Sequence, residues 1–297
     1  MSASKFSFPL LLALGVAAAG VATAGAAAAP FPAPWINAAG GPEPVMQVQQ
    51  YDADTYVLRQ SIRTNFEGPF IYLFFGARKV LEIDTGAGGT KVRPTIDKVI
   101  ADWTRTHGGK PLQLIVAHSH SHGDHVAGDS EFAGRPDTTV IGHAPQEVAA
   151  FFHIKSWPEE IAPFDLGGRT LDIIPAPGHE PAEIAVFDER TRILMTGDEL
   201  YSGRLYIPNG EFPTLCKSID RVVNFTKDKH VSWVMGTHIE MTLTPKRDYA
   251  FDAAGHPQEH PLELPYSTLL ELQSALHAMG EKPRLDVHND FIVYPLP

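Results

Sequence analysis

The chain has 297 residues, 43% of them hydrophobic, enough apolar material for one large domain or two small ones and too much for a disordered or fibrous polypeptide. Its formal net charge of −11 argues against nucleic acid or an acidic membrane as a partner, because like charges repel. Cys216 is the single cysteine, so no intramolecular disulfide exists, and it reads as a small buried apolar residue.

Residues 1–29 have the pattern of a secretory signal. Lys5 lies near the start, an apolar run extends from Phe8 to Ala19, and Ala22-Thr23-Ala24 or Ala27-Ala28-Ala29 offers a small-residue cleavage site. The strongly apolar part is shorter than the ~20 residues of a membrane span. The expectation is therefore a periplasmic or secreted protein with no stable membrane insertion after cleavage. Residues 30–44, rich in Pro, Gly and Ala, read as a flexible leader without chemistry. A single domain is expected over 45–297.

That domain opens with strand-like segments at 45–50, 55–60, 70–75 and 79–84, expected to form one antiparallel sheet with Gly76-Ala77 turning the last hairpin. Val92, Ile96, Val99, Ile100 and Trp103 recur at helical spacing over 91–107, and Gly108-Gly109 stops the helix. A buried strand at 112–117 follows. Strands are then expected at 138–141, 170–175, 184–187, 193–196 and 231–235, with helices at 144–153 and 215–227. A helix at 267–279 and a strand at 290–294 close the chain. Strands and helices mixed in two halves predict an α/β fold of two sheets packed face to face with helices outside. Loops 61–69 and 202–213 are left as pocket walls, and 242–265 reads as an irregular surface stretch.

The 112–117 strand runs into His118-Ser119-His120-Ser121-His122-Gly123-Asp124-His125. Four imidazoles and a carboxylate in eight residues are a metal-ligand composition. Alternate residues of an extended chain share a face, so His120 and His122 can grip one ion, while Asp124 and His125, past the Gly123 bend, can turn to a second.

The segment from His120 to His125 matches the H-x-H-x-D-H signature of the metallo-β-lactamase superfamily. Three further motifs follow predicted strands in that family's order: Pro177-Gly178-His179, Thr196-Gly197-Asp198 and Gly236-Thr237-His238. The resemblance, over about 45–240, implies the αββα four-layer sandwich. It also implies a dinuclear zinc site, with iron or manganese as other metals that suit the donors. His120, His122 and His179 would hold the first ion, Asp124, His125 and His238 the second, and Asp198 would bridge. It further implies a hydrolase that cleaves an ester, lactone, thioester or amide of a small-molecule substrate with a metal-bridging hydroxide, and Asp124 would orient that nucleophile and handle its proton. Tyr201 resembles a tyrosine that polarises the substrate carbonyl in acyl-homoserine-lactone lactonases, and is expected to be catalytic. Asp84 would buttress the site, and His118 is expected to support or pack beside it.

Two other functions fit the same fold. A β-lactamase agrees with export, but lactamase branches usually carry Cys or Ser where Asp198 stands. An iron-dependent sulfur dioxygenase-like oxidoreductase shares the ligand motif. A glyoxalase II-like activity on glutathione is disfavoured, because the tail after Glu240 is too short for a full glutathione-binding domain. Asp84-Thr85-Gly86 has no partner motif for a paired-carboxylate protease, and no G-x-S-x-G elbow is present.

Overall fold

The computed structural model describes residue 1 and residues 30–297, so all but the first residue of the signal-like segment lies outside the described residues. The chain divides into two units after Pro30, and the description below is of residues 31–297.

Four strands, β1 (Met46–Asp52), β2 (Thr55–Gln60), β3 (Phe70–Phe75) and β4 (Lys79–Ile83), pair antiparallel in sequence order. Helix α1 (Arg93–Thr106) carries the chain to β5 (Gln113–Ala117), which lies parallel to β4. Two single-turn helices, α2 (Gly123–Val126) and α3 (Asp129–Phe132), lead to β6 (Thr138–Val140), parallel to β5, and α4 (Pro145–Phe152) follows. The second half contains β7 (Ala162–Asp165), β8 (Thr170–Pro175), β9 (Ile184–Asp188), β10 (Ile193–Met195), β11 (Arg204–Ile207), α5 (Phe212–Thr226), β12 (Trp233–Met235) and β13 (Glu263–Leu264). Helix α6 (Tyr266–Met279), β14 (Asp286–Val287) and β15 (Ile292–Pro295) complete it. The strands order as β1-β2-β3-β4-β5-β6, as β13-β12-β10-β9-β8-β7, and as a small sheet β11-β15-β14.

Side-chain alternation builds the layers. Along β4, Leu81 and Ile83 point to a cluster shared with Ile173, Ile184, Val186 and Met195 of the second sheet. Val80 points the other way, to Ile96, Val99, Ile100 and Trp103 of α1. From the second sheet, Ile174, Phe187 and Leu194 face Leu215 and Ile219 of α5 and Leu272 of α6. The result is helix, sheet, sheet, helix. Apolar burial stabilises such interfaces by roughly 25 cal/mol per Å², so the sheet-to-sheet cluster fixes the two halves against each other and the strand ends with them.

Those ends make the site. Strands β8 and β10 each run antiparallel to β9, and β12 runs parallel to β10, so β8, β10 and β12 end on the same edge of the second sheet. The end of β5 in the first sheet joins them, because Ile184 N donates to Ser119 O at 2.8 Å. At the same edge Phe70 N donates to Thr237 O at 2.8 Å and Tyr72 Oη to Gly236 O at 2.6 Å.

Several segments differ from the sequence reading, among them β7, β14 and the single-turn helices α2 and α3, which fall where that reading places no element. The leader is irregular but not a free arm: Phe31 is buried, Trp35 stands edge-on to Phe70 at 5.0 Å, and Gln49 both accepts from Ala33 N and donates to Ala33 O. Its aromatic residues find the core despite their Pro- and Ala-rich surroundings. Residues 202–213 include strand β11, paired parallel with β15. The irregular stretch 242–265 is fastened by Glu259, whose carboxylate takes both terminal nitrogens of the buried Arg59, one at 2.6 Å.

Candidate metal centre

All seven residues singled out by the motifs converge at that edge. His120 Nε2 lies 3.1 Å from His122 Nδ1, and His179 Nε2 lies 3.0 Å from the same atom. Asp198 Oδ2 faces this trio, 3.9 Å from His120 Nε2 and 3.7 Å from His179 Nε2. Beside it, Asp124 Oδ2 is 3.1 Å from His125 Nε2 and 3.2 Å from His238 Nε2, and the two imidazole nitrogens are 3.2 Å apart. Asp198 also faces this second trio, at 3.8 Å from His125 and 3.5 Å from His238. Ligands at ~2.0–2.2 Å around a tetrahedral ion stand about 3.4 Å from one another. Both groups have that spacing, with nitrogen and carboxylate donors and no thiolate, so the donor set fits a pair of divalent ions.

In three of the histidines the ring nitrogen that faces away from these groups has a partner of its own, which fixes which nitrogen is free for an ion. His125 Nδ1 meets Asp84 Oδ2 at 2.9 Å, His179 Nδ1 meets Tyr206 O at 2.8 Å, and His238 Nδ1 meets Glu67 O at 3.1 Å. Asp84 is wholly buried and adopts a φ of 74°, the left-handed region that non-glycine residues avoid. Its carboxylate holds the strain in place by accepting from Ser119 N at 2.6 Å and from Ser119 Oγ. Replacing Asp84 with Ala should weaken metal binding by about 10- to 100-fold while the sandwich persists, read by titration of the metal-free protein. Unchanged affinity would remove Asp84 from the site.

Burial disfavours a charged ring at His125, but Asp84, Asp124 and Asp198 outweigh it and push its pKa well above the usual imidazole range. Against the same burial cost, Asp198 and Asp124 raise His238 to about 9. His120 goes the other way, lowered by burial and by the neighbouring His125, His179 and His122. The anionic residues thus hold positive charge on the second trio, and a cation there would replace protons.

Sequence reasoning missed the carboxyls behind the site. Glu183 Oε1 accepts from Asp198 N at 2.8 Å, and Glu199 Oε1 from His179 N at 3.2 Å. Both are buried, and burial raises both pKa values, Glu199 to about 8. Gly197, with φ 55°, is required beside them, since a Cβ there would meet Glu183 Oε1 at 2.8 Å. Thr237 Oγ1 donates to Asp198 Oδ1. No spacing rule marks these residues; only the packing brings them in.

Tyr201 is placed otherwise than expected for a catalytic residue. Its ring stands edge-on to His238, with centroids 5.5 Å apart, but its hydroxyl donates to Arg204 O at 2.5 Å, and Glu240 lies 3.3 Å away. The residue is 2% exposed. Tyr201→Phe should leave kcat within about threefold and cost about 1 kcal/mol of stability for the lost buried hydrogen bond. A hundredfold fall in kcat at unchanged stability would restore the catalytic role.

The comparisons with known proteins fall in line with this architecture. The sequence profile of the metallo-beta-lactamase superfamily matches residues 65–251, more than half of the chain and all seven donors. A hydroxyacylglutathione hydrolase of Rhizobium meliloti (strain 1021) is 25% identical over 176 residues, covering 56% of this chain and 64% of that protein. One from Methylococcus capsulatus is 30% identical over 117 residues, covering 36% and 42%. The chain thus spans less than two thirds of the length of these relatives. Among solved structures, the metallo-beta-lactamase from Pontibacter korlensis superposes with a TM-score of 0.51 at 18% identity, covering 78% of this chain and 99% of the other. The DIM-1 metallo-beta-lactamase does so with a TM-score of 0.50 at 16% identity, covering 80% and 99%. With the profile match, the sandwich and the ordered strand-end motifs in agreement, the chain belongs to the metallo-beta-lactamase superfamily.

Proposed function

We propose that the protein is a metal-dependent hydrolase of an activated acyl bond, an ester, lactone or thioester in preference to an amide, working with two divalent ions, zinc foremost. The observation that carries this reading is the pair of three-donor groups, His120-His122-His179 and Asp124-His125-His238, with the Asp198 carboxylate facing both. Two such ions, when bound, act as Lewis acids and bring the pKa of a water from 15.7 toward 7. The chain's own residues do the rest. Asp198, Asp124 and the five imidazoles fix the reacting centre. Asp124, whose side chain is still 22% exposed, faces the cleft and accepts the nucleophile's proton. In the metal-free chain His125 and His238 keep its carboxylate ionised against the opposing effect of burial, a role that a bound cation would take over.

The choice of bond follows from which likenesses carry weight. Relatives named hydroxyacylglutathione hydrolases are similar in sequence at 25% and 30% identity, whereas the lactamase structures, at 18% and 16%, share the fold alone. Phe66, next in sequence to the Glu67 whose carbonyl holds His238, forms an exposed aromatic pair with Phe251, centroids 5.1 Å apart. An apolar acyl group would lie against that pair.

A panel of esters, lactones, thioesters and a chromogenic β-lactam, each run with and without chelator, tests the reading. Expected is chelator-sensitive turnover of apolar acyl substrates, with lactam cleavage weaker by orders of magnitude. Zinc-loaded protein that hydrolyses none of them, or that ignores the chelator, would overturn it. We further infer export to the periplasm or beyond from the signal-like segment 1–29; N-terminal sequencing of the exported protein should begin at Gly25 or Pro30, and an intact Met1 would contradict it.

A further inference from the structure

Two histidines near the centre take no part in the seven-donor set. His118 leaves the end of β5 and His143 leaves the end of β6, and the two strands are parallel neighbours in register at Val116 and Val140. Their side chains therefore emerge at the same end of the first sheet. Asp129, the first residue of α3, rises between them. His118 Nε2 is 2.8 Å from Asp129 Oδ1, and His143 Nε2 is 2.7 Å from Asp129 Oδ2. The two rings stand at 89° with centroids 4.7 Å apart. One donor atom from each of the three residues lies within 4.8 Å of the others.

The group has the build of a site rather than of a surface contact. His118 is 7% exposed, although a polar ring at the end of a buried strand is costly to cover unless something engages it. Thr85 Oγ1 donates to Asp129 Oδ1 at 2.8 Å and itself accepts from Gly128 N, so the carboxylate is oriented from behind. Asp129 is half-buried and His143 is exposed, which leaves a way in from solvent. Two imidazoles aim at the opposite oxygens of Asp129, each through Nε2.

We propose that His118, Asp129 and His143 form a third, mononuclear site for a divalent transition metal, distinct from the paired centre, with its remaining coordination open to solvent on the His143 side. Two imidazoles and one carboxylate suit zinc, copper or nickel rather than calcium or magnesium, which take oxygen ligands. Donor edges of about 3.4 Å around zinc are about 0.6 to 0.7 Å longer than the present contacts, an opening that the half-buried Asp129 and the exposed His143 can supply. Occupancy would bear on the main centre through Thr85, whose backbone N donates to His125 O at 2.7 Å.

The test is zinc titration of the metal-free full chain, read by elemental analysis after equilibrium dialysis, with Co(II) absorption as a second reading. Wild-type protein should bind three equivalents. His143→Ala and Asp129→Asn should each lose one of them, the weakest, while the Co(II) bands of the paired centre and hydrolysis at two equivalents remain. His143 is exposed and makes no contact with the seven donors, so its removal leaves them in place. Equal stoichiometry in wild type and His143→Ala would overturn the proposal whatever the state of the paired centre. So would a zinc-soaked crystal with no anomalous peak among these three side chains.

Discussion

Asp124→Ala should leave a folded protein whose kcat/KM is lower by about a thousandfold or more. Asp124 contributes to the centre twice. It is a donor of the second trio, at 3.1 Å and 3.2 Å from the facing nitrogens of His125 and His238. In the proposed mechanism it is also the carboxylate that takes a proton from the attacking water. General-base removal alone costs about 10² to 10⁴ in rate, and the loss of a donor adds weaker metal retention. Kinetics with parallel metal analysis separate the two: if Asp124→Ala retains both ions and loses the rate, proton handling dominates. Activity within tenfold of wild type would place the chemistry elsewhere.

Arg169→Ala should destabilise the fold by about 3–5 kcal/mol, the usual cost of leaving one partner of a buried ion pair alone. Arg169 ties the two sheets together. Its guanidinium grips Asp188 of β9 through Nε at 3.2 Å and Nη2 at 2.6 Å, donates to the backbone of Asp54 and Phe75 and to Thr55 Oγ1, and lies over the Phe74 ring at 5.3 Å. Removing it leaves the Asp188 carboxylate, wholly buried, without its counter-charge. Burial opposes the charge on Asp188, but Arg169 and Thr191 overcome that and hold its pKa below the ordinary value. A depressed carboxyl pKa contributes stability that is present above the unfolded value of about 3.9 and is lost as pH falls through the folded one. The stability gap between wild type and Arg169→Ala should therefore be full at pH 7 and narrow below about pH 4. Denaturant melts at both pH values check this, and a gap under 1 kcal/mol at pH 7 would refute it. Replacing Asp188 by an apolar residue as well should recover part of the loss.

Much of the fold was legible because its signals are local. The face of α1 is written in Ile96, Val99, Ile100 and Trp103 at helical spacing, and those four are its buried residues. The strands carrying donors at their ends are apolar runs bounded by Gly or His, and the donors themselves sit in short motifs. What was not legible depends on distant partners. Strand β11 exists because Arg204–Ile207 pairs with β15 more than eighty residues later, and four residues between two loops give no hint of that. Strand β7 contains Pro163, which demotes a strand reading, yet its place at the end of the sheet order tolerates a missing N–H.

The same distinction divides the site. His120, His122, Asp124 and His125 share one segment, so their chemistry is visible in a single line of sequence. Tyr201 shows the weakness of placement by spacing: three residues after Asp198 it is near the centre, but its hydroxyl direction is decided by Arg204 and Glu240. Glu183 and Glu199 carry no motif and matter through what they hold, the backbone nitrogens of Asp198 and His179. His143 carries no motif, and its partner Asp129 is brought to it only by the fold, with β5 and β6 paired as neighbours.

Anomalous diffraction at the zinc edge from zinc-loaded crystals addresses the dinuclear proposal most directly. The proposal requires two peaks in the cleft, one bounded by His120, His122 and His179, the other by Asp124, His125 and His238, with Asp198 reaching both. A cleft with no peak, or with a lone peak that the Asp198 carboxylate does not touch, would contradict it.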